Sequence, residues 1–151
     1  MIAYQLSVFA ENKPGRLAAV TGIIAREKIN IRATTIATSD TFGVINLIVD
    51  DPKRAQAALS KAGMTANLRE VLAILIEDKP GGLDKLMQML AREDVNINNA
   101  YGFVLESREK AVFVVDVDQT EKAREIIENA GFKTLDADAL AAVEPFHYMK
   151  Y

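Results

Sequence analysis

The sequence contains one pattern twice, and this repeat restricts the fold more than any other feature. Lys13-Pro14-Gly15 recurs 66 residues later as Lys79-Pro80-Gly81, and Asn30-Ile31 recurs at the same offset as Asn96-Ile97. A repeat of this length exceeds most solenoid units and suits a small domain. The sequence therefore predicts a tandem duplication. The predicted domains are residues 1–69 and 70–144, followed by an aromatic C-terminal tail at residues 145–151.

The offset between the halves grows to 68 residues further along the chain, where Ala62-Gly63 matches Ala130-Gly131. The two additional residues fall in the stretch that includes Glu106, Ser107 and Arg108. Because insertions accumulate in surface loops, this difference predicts a longer hairpin in the second half.

Each half has the same predicted order of elements. Tyr4, Leu6 and Val8 alternate with polar residues, as in a strand with one buried face. Asp51-Pro52 supplies a capping residue and a first helical residue. The first half is predicted to have strands at Tyr4–Val8, Ile31–Thr38, Val44–Val49 and Met64–Leu68, and helices at Leu17–Glu27 and between Pro52 and Gly63. The second half is predicted to have strands at Val71–Ile76, Ile97–Leu105, Ala111–Val117 and near Asp138–Val143, and helices at Leu83–Arg92 and Thr120–Ala130.

This order, β-α-β-β-α-β with right-handed crossovers, predicts an α+β fold of the ferredoxin-like type in each half. Such a domain has a four-stranded antiparallel sheet with two helices on one face. The other face, or an open edge, needs a partner, which is either the other half or a second chain.

Composition excludes several classes of protein. The chain has no Cys and a single His, so disulfides, thiolate catalysis and Cys-based metal sites are excluded. Its net charge of -3 is spread along the chain and forms no basic stripe for a nucleic acid. The sequence shows no signal peptide and no apolar run of membrane-spanning length. We therefore expect a cytoplasmic protein without nucleic acid, membrane or cofactor.

The segment from Glu11 to Leu17, followed by a helix and then Ile29-Asn30-Ile31, resembles the signature of ACT domains. Glu77 to Leu83 and Val95-Asn96-Ile97 resemble the same signature. The resemblance covers the chain to about Val143. It implies a free-standing pair of ACT domains that binds a free amino acid, regulates an enzyme or regulator of amino-acid metabolism, and catalyses nothing.

In ACT domains the ligand usually lies between two domains packed side by side, where the first loop of one faces the second strand of the other. The resemblance therefore implies one site formed by Asn12, Gly15, Arg16 and Leu17 with Asn96, Ile97 and Asn98. It implies a second site formed by Asp78, Gly81, Gly82 and Leu83 with Asn30, Ile31 and Arg32. Whether the sites form within a chain or between the chains of a homodimer stays open. The two sites differ in charge, so we expect unequal affinities.

The residue chemistry of the loop fits an amino acid. A strand-loop-helix junction presents backbone N–H groups and the positive end of a helix dipole to a carboxylate. Gly15 and Gly81 allow the backbone to approach a ligand closely. Asn12 offers donors and an acceptor, and ionised Asp78 offers acceptors for an ammonium group. A simpler interpretation also holds, since Pro-Gly is a common turn.

Several single residues have a simpler interpretation as well. The Asn residues can form turns, Arg16 can be a solvated helix residue, and the Asp50-Asp51 pair is explained by helix capping. Met87 and Met89 fit the core stripe of a helix with Leu83. His147 has no other histidine or cysteine to share a metal.

Three other functions compete with an amino-acid sensor. RNA-recognition motifs share the order of elements, but the third strand of the first half, Val44–Val49, has no aromatic or basic side chain. No catalytic triad, phosphate-binding loop, dinucleotide fingerprint or metal cluster indicates an enzyme. The remaining alternative is an adaptor that has lost its ligand and acts through protein–protein contacts.

Overall fold

The computed structural model describes residues 1–142, so the predicted tail with Phe146, His147 and Tyr148 lies outside the described residues. The strands are β1 (Ala3–Glu11), β2 (Ile31–Ser39), β3 (Phe42–Val49), β4 (Thr65–Glu77), β5 (Ile97–Glu106), β6 (Lys110–Val117) and β7 (Lys133–Leu135). The helices are α1 (Arg16–Arg26), α2 (Pro52–Lys61), α3 (Gly82–Arg92), α4 (Thr120–Asn129) and α5 (Ala137–Ala142). Two compact units result, one of Tyr4–Arg69 and one of Met1–Ala3 with the chain from Glu70 on.

In the first unit, β3 lies between β1 and β2 and pairs antiparallel with both. Leu47 is opposite Leu6 of β1 and opposite Thr34 of β2. Alternate strand residues and the apolar faces of both helices form one core. Its fully buried members include Leu6, Val8, Val20, Ile24, Leu47, Ala55 and Leu59.

The second unit repeats this plan, with the strand order β7-β4-β6-β5 and antiparallel pairing throughout. Leu72 of β4 is opposite Val115 of β6, and Ala73 is opposite Leu135 of β7. The core again combines strand and helix residues. Its fully buried members include Leu72, Ile74, Leu86, Val115 and Ile127. The predicted pair of ferredoxin-like repeats with antiparallel sheets is confirmed.

Three predicted strands were wrong in extent or position. Met64–Leu68 and Val71–Ile76 form a single strand, β4, because no Gly or Pro interrupts the chain between them. The last strand is the short β7, and most of the segment predicted as Asp138–Val143 belongs to α5. Asp136 caps that helix, since its carboxylate accepts a hydrogen bond from the Ala139 N–H at 2.7 Å.

The sheet face opposite the helices carries buried polar groups in the first unit. Since Leu6 and Leu47 point into the core, their neighbours Ser7 and Asn46 point to the other face. The Ser7 hydroxyl donates to Asn46 Oδ1 at 2.8 Å, and the Gln5 amide donates to both side chains at 3.1 and 3.2 Å. All three residues are buried. This polar triad is therefore linked by hydrogen bonds within one sheet.

The second unit has different residues at the corresponding positions. Ala73 and Val114 pair where the first unit pairs Ser7 and Asn46, and both are fully buried. Further along the same face, burial and then the charge of Asp116 raise the pKa of the Tyr101 phenol above its ordinary value. The two halves thus share a backbone plan but not the chemistry of this face.

The helix caps provide a matched test of the repeat. The Asp51 carboxylate accepts a hydrogen bond from the Arg54 N–H at 3.3 Å, as predicted, whereas Gln119, at the corresponding position before α4, makes no side-chain cap. We expect Asp51→Ala to lower the free energy of unfolding by about 1 kcal/mol, measured as a shift of the urea midpoint. Gln119→Ala serves as the control and should leave the midpoint nearly unchanged. Equal losses from both substitutions would contradict this assignment.

Candidate functional site

The two Lys-Pro-Gly loops have the same backbone conformation. Gly15 precedes α1 with φ 87° and ψ -8°, and Gly81 precedes α3 with φ 84° and ψ -7°. This left-handed region strongly favours glycine. No atom lies within 4 Å of a Cβ built on either residue, so the backbone conformation and not crowding requires glycine here.

Neither helix that follows these loops receives a side-chain cap at its N-terminus. Each loop closes on itself, since the Arg16 N–H reaches the Lys13 carbonyl at 3.4 Å and the Gly82 N–H reaches the Lys79 carbonyl at 2.9 Å. Beyond these bonds, the first turn of each helix presents backbone N–H groups and the positive end of the helix dipole. Such an end suits a carboxylate or another anion.

Asn12 and Asp78 attach each loop to the neighbouring hairpin. The backbone N–H groups of Asn12 and Asp78 donate to the carbonyls of Thr41 and Glu109 at 2.9 and 3.0 Å. The Asp78 carboxylate also accepts a 2.7 Å hydrogen bond from the Arg108 N–H, and the Asn12 amide reaches its own hairpin at 3.5 Å. Both residues therefore stabilise the loop, in addition to any role in binding.

Gly82 has a packing reason for being glycine. A Cβ at this position would lie 2.1 Å from the carbonyl oxygen of Glu77, which no side chain can tolerate. The corresponding residue of the first half is Arg16, so this contact is specific to the second loop. The close approach was not visible in the sequence, where Gly82 was interpreted as a ligand contact.

A cavity of about 700 Å³ opens at the second loop, a volume typical of ligand pockets. The predicted site residues Gly81 and Gly82 line it, whereas Asp78 and Leu83 are not among its lining residues. The loop, the β5–β6 hairpin and the turn before β7 contribute the remaining walls. The charged lining residues are Glu77, Lys79, Lys85, Arg108, Glu109, Lys110 and Lys133.

Sequence reasoning missed the basic members of this lining. Lys85 is one helical turn beyond Gly81, Arg108 and Lys110 lie at the hairpin, and Lys133 begins β7. A signal was present in the sequence, since none of these four positions is basic in the first half. That signal has meaning only once the fold brings the four segments together.

The strand side of the predicted sites lies elsewhere within each unit. Asn96 lines a separate cavity of about 280 Å³ with residues of the α3–β5 turn and the β6–α4 junction. Its amide donates to Asn98 Oδ1 at 3.3 Å, and the Asn98 amide donates to Asp118 at 2.6 Å. Gly81 and Asn96 therefore line different cavities of the same unit.

The first unit has a corresponding arrangement at the start of β2. The Arg32 guanidinium pairs with the Asp50 carboxylate at 2.7 Å, which matches the Asn98–Asp118 contact in the repeat. The backbone carbonyl of Asn30 accepts from the Asp50 N–H at 3.1 Å. The Asn30 side chain is exposed, and Ile31 and Ile97 are half-buried against their cores.

Leu17 and Leu83 were predicted as part of the buried helix stripes, but their side chains are 36% and 41% exposed. Each is the second residue of its helix, beside an exposed loop, where the helix face is not yet covered. Each therefore adds an apolar surface next to the loop, which suits the side chain of a ligand or another domain.

The lysine of each Lys-Pro-Gly loop forms an ion pair with the glutamate two residues before it. Glu11 pairs with Lys13 at 3.1 Å, and Glu77 pairs with Lys79. The hydrogen bond from the lysine, assisted by its charge, lowers the pKa of both glutamates below the ordinary value. Lys13 and Lys79 are thus already compensated by a carboxylate.

Comparison with known proteins identifies the family to which the duplicated fold belongs. The model of the ACT domain pair matches residues 1–143, and the chain belongs to this family. ACT domains are regulatory modules. No curated protein matches the sequence. Among residues 1–142, no helix is long and apolar enough to cross a membrane.

Three solved structures illustrate the similarity. Protein BT0572 from Bacteroides thetaiotaomicron is 35% identical, with a TM-score of 0.87 over 94% of this chain and 97% of that chain. The regulatory subunit of aspartate kinase from Thermus thermophilus, in its ligand-free form, is 19% identical, with a TM-score of 0.60 over 87% and 97%. The corresponding subunit from Thermus flavus is 18% identical, with a TM-score of 0.56 over 85% and 95%. The last two show a shared fold.

The crowding at Gly82 gives a test of the second loop. We expect Gly82→Ala to lower the free energy of unfolding by roughly 2 kcal/mol, because the new Cβ forces the loop away from Glu77. Gly22→Ala within α1 is the control: its Cβ meets only the Arg26 side chain at 3.8 Å, so it should stabilise the protein by about 0.5–1 kcal/mol. Urea unfolding measures both. A neutral Gly82→Ala would show that the loop is not closely packed.

Proposed function

We propose that this chain is a non-catalytic regulatory protein that binds a free amino acid at an interface between ACT domains. The observation that carries the proposal is the duplicated loop, in which a left-handed glycine leads into a helix without a side-chain cap. The ligand carboxylate would bind the N–H groups of this helix end. The exposed Leu17 and Leu83 would contact the ligand side chain or the facing domain.

The proposed binding residues are those of the two loops and the two strand starts. They are Asn12, Gly15, Arg16 and Leu17 with Asn96 and Ile97, and Asp78, Gly81, Gly82 and Leu83 with Asn30 and Ile31. Within one unit, Gly81 and Asn96 line different cavities, so a ligand that contacts a loop and a strand start requires a second domain. Residues 1–69 and 70–144 are the proposed domains, and a homodimer would supply four of them.

The response of the protein would follow from linkage between binding and domain arrangement. A ligand that prefers one arrangement raises its population, and a partner that recognises that arrangement responds. We propose an enzyme or regulator of amino-acid metabolism as this partner. The regulatory subunit of aspartate kinase from Thermus thermophilus, whose fold this chain shares, is a precedent for such a role.

The alternative function is that of an adaptor without a ligand, and exposed apolar side chains favour it. Ile36, Phe42 and Val104 are 50%, 60% and 56% exposed, and such side chains offer apolar surface to a partner. An adaptor would bind its partner through such residues and gain no stability from an amino acid.

Thermal unfolding in the presence of each of the twenty amino acids, at millimolar concentration, separates the two functions. A ligand present at a hundred times its dissociation constant stabilises the folded protein by about 2.7 kcal/mol. A sensor should show a clear rise in Tm with one or a few amino acids. No rise with any of them would reject the sensor and favour the adaptor.

Substitution of a strand-start residue then tests the site. Asn30 has an exposed side chain and uses only its backbone in a hydrogen bond, so Asn30→Ala should fold normally. We expect the substitution to lower the affinity for the ligand about tenfold, the effect of losing one hydrogen bond to a charged group. Asn129→Ala, at the exposed end of α4, is the matched control and should bind as the unaltered protein does. Unchanged affinity in Asn30→Ala would remove Asn30 from the site.

A further inference from the structure

The cavity at the second Lys-Pro-Gly loop has a strongly basic lining. Lys79 is compensated by its ion pair with Glu77. The four other cations that line the cavity form no ion pair within residues 1–142, and the acidic residues of the lining are Glu77 and Glu109. These four are Lys85, Arg108, Lys110 and Lys133. The cavity therefore has a net positive charge of about three, in a protein whose net charge is -3.

The first half keeps the backbone of this region. Lys110 is opposite Glu77 as Phe42 is opposite Glu11. The Lys85 N–H donates to the Gly81 carbonyl at 3.0 Å, as the Ala19 N–H donates to the Gly15 carbonyl at 2.9 Å. The two halves can therefore be compared position by position around the loop.

None of the four cations has a basic counterpart in the first half. The residues that correspond to Lys85, Arg108, Lys110 and Lys133 are Ala19, Asp40, Phe42 and Thr65. Thr65 and Lys133 correspond because each lies two residues after a glycine with a positive φ that follows a helix, Gly63 and Gly131 respectively. The first half has the same backbone and the same kind of helix end without basic residues at these positions. The backbone therefore does not explain the four cations.

We propose that the cavity of the second half binds a small organic anion with two carboxylate groups, a class that includes the acidic amino acids. The proposal rests on the proposed function and names the ligand class of one of its sites. A zwitterionic amino acid with a neutral side chain has no net charge, and its ammonium group is repelled by the lining. A second carboxylate instead meets lysine ammonium groups and a guanidinium that can bind it with two hydrogen bonds.

The first-half loop is expected to have no such preference. There Asp40 takes the place of Arg108, Phe42 that of Lys110 and Arg16 that of Gly82, so fewer basic residues surround the loop. The two loops then bind different ligands, or the first binds none. The sequence predicts unequal affinities for the two sites, and this difference provides a chemical basis for them.

Isothermal titration of the full chain tests the ligand class. The probes are L-glutamate, L-aspartate, 2-oxoglutarate, L-glutamine and inorganic phosphate, each in low salt. We expect an acidic amino acid or 2-oxoglutarate to bind about tenfold or more tightly than glutamine, because glutamine has nearly the same shape without the second charge. Affinity should fall when the ionic strength rises to 0.2 M, as screening shortens the Debye length.

Two substitutions that restore the first-half residues test the location. Lys85→Ala and Lys133→Thr remove exposed side chains, so both variants should fold. Each substitution is expected to lower the affinity for the dicarboxylate about tenfold, the usual effect of losing a hydrogen bond between charged groups. Lys53→Gln, an exposed lysine of α2 outside the cavity, is the control and should bind normally.

The outcomes separate this inference from the proposed function. If glutamine or another neutral amino acid binds at least as tightly as the acidic ones, the inference is wrong and the sensor stands. If 2-oxoglutarate binds but no amino acid does, the dicarboxylate site stands and the amino-acid sensor fails. Binding of phosphate without any dicarboxylate overturns the ligand class. Dicarboxylate binding that neither Lys85→Ala nor Lys133→Thr weakens overturns the location.

Discussion

The left-handed glycine between the first strand and the first helix of each half is the constraint on which the rest of the unit depends. Four residues separate the strand from the helix in each half, and the last of them, Gly15 or Gly81, has a φ near +85° that an L side chain resists. The short connection sets α1 and α3 on the core face of their sheets. It also leaves each helix end without a side-chain cap, so one backbone feature produces both the packing and the candidate site.

Duplication has preserved this backbone while the side chains around it changed. Asn12 and Asp78 hold their loops to the hairpin through the same backbone bond, to Thr41 and Glu109. The surroundings differ because surface positions tolerate a change of charge at little cost in stability. The same backbone frame with different charges is the basis on which we propose two ligand preferences for the two halves.

Much of the fold could be predicted from the sequence, because the repeat and local patterns determine it. Strand alternation at Tyr4, Leu6 and Val8 and the Asp51-Pro52 helix start are local signals, and the structure confirms both. The continuity of β4 was missed because the domain boundary falls inside one strand. The basic cavity was missed because Lys85 and Lys133 are far apart in the sequence, and only the tertiary fold brings them to one site. The predicted binding residues stay a proposal.

The buried polar triad of Gln5, Ser7 and Asn46 adds a second difference between the halves. Buried polar groups are costly unless each finds a partner, and here the three side chains form hydrogen bonds with one another. Loss of one member would remove hydrogen bonds from the others, so the triad fixes the register of β1 against β3 more strictly than apolar contacts would. The second half pairs Ala73 with Val114 at this place and relies on packing alone. The two halves are therefore held in register by different interactions.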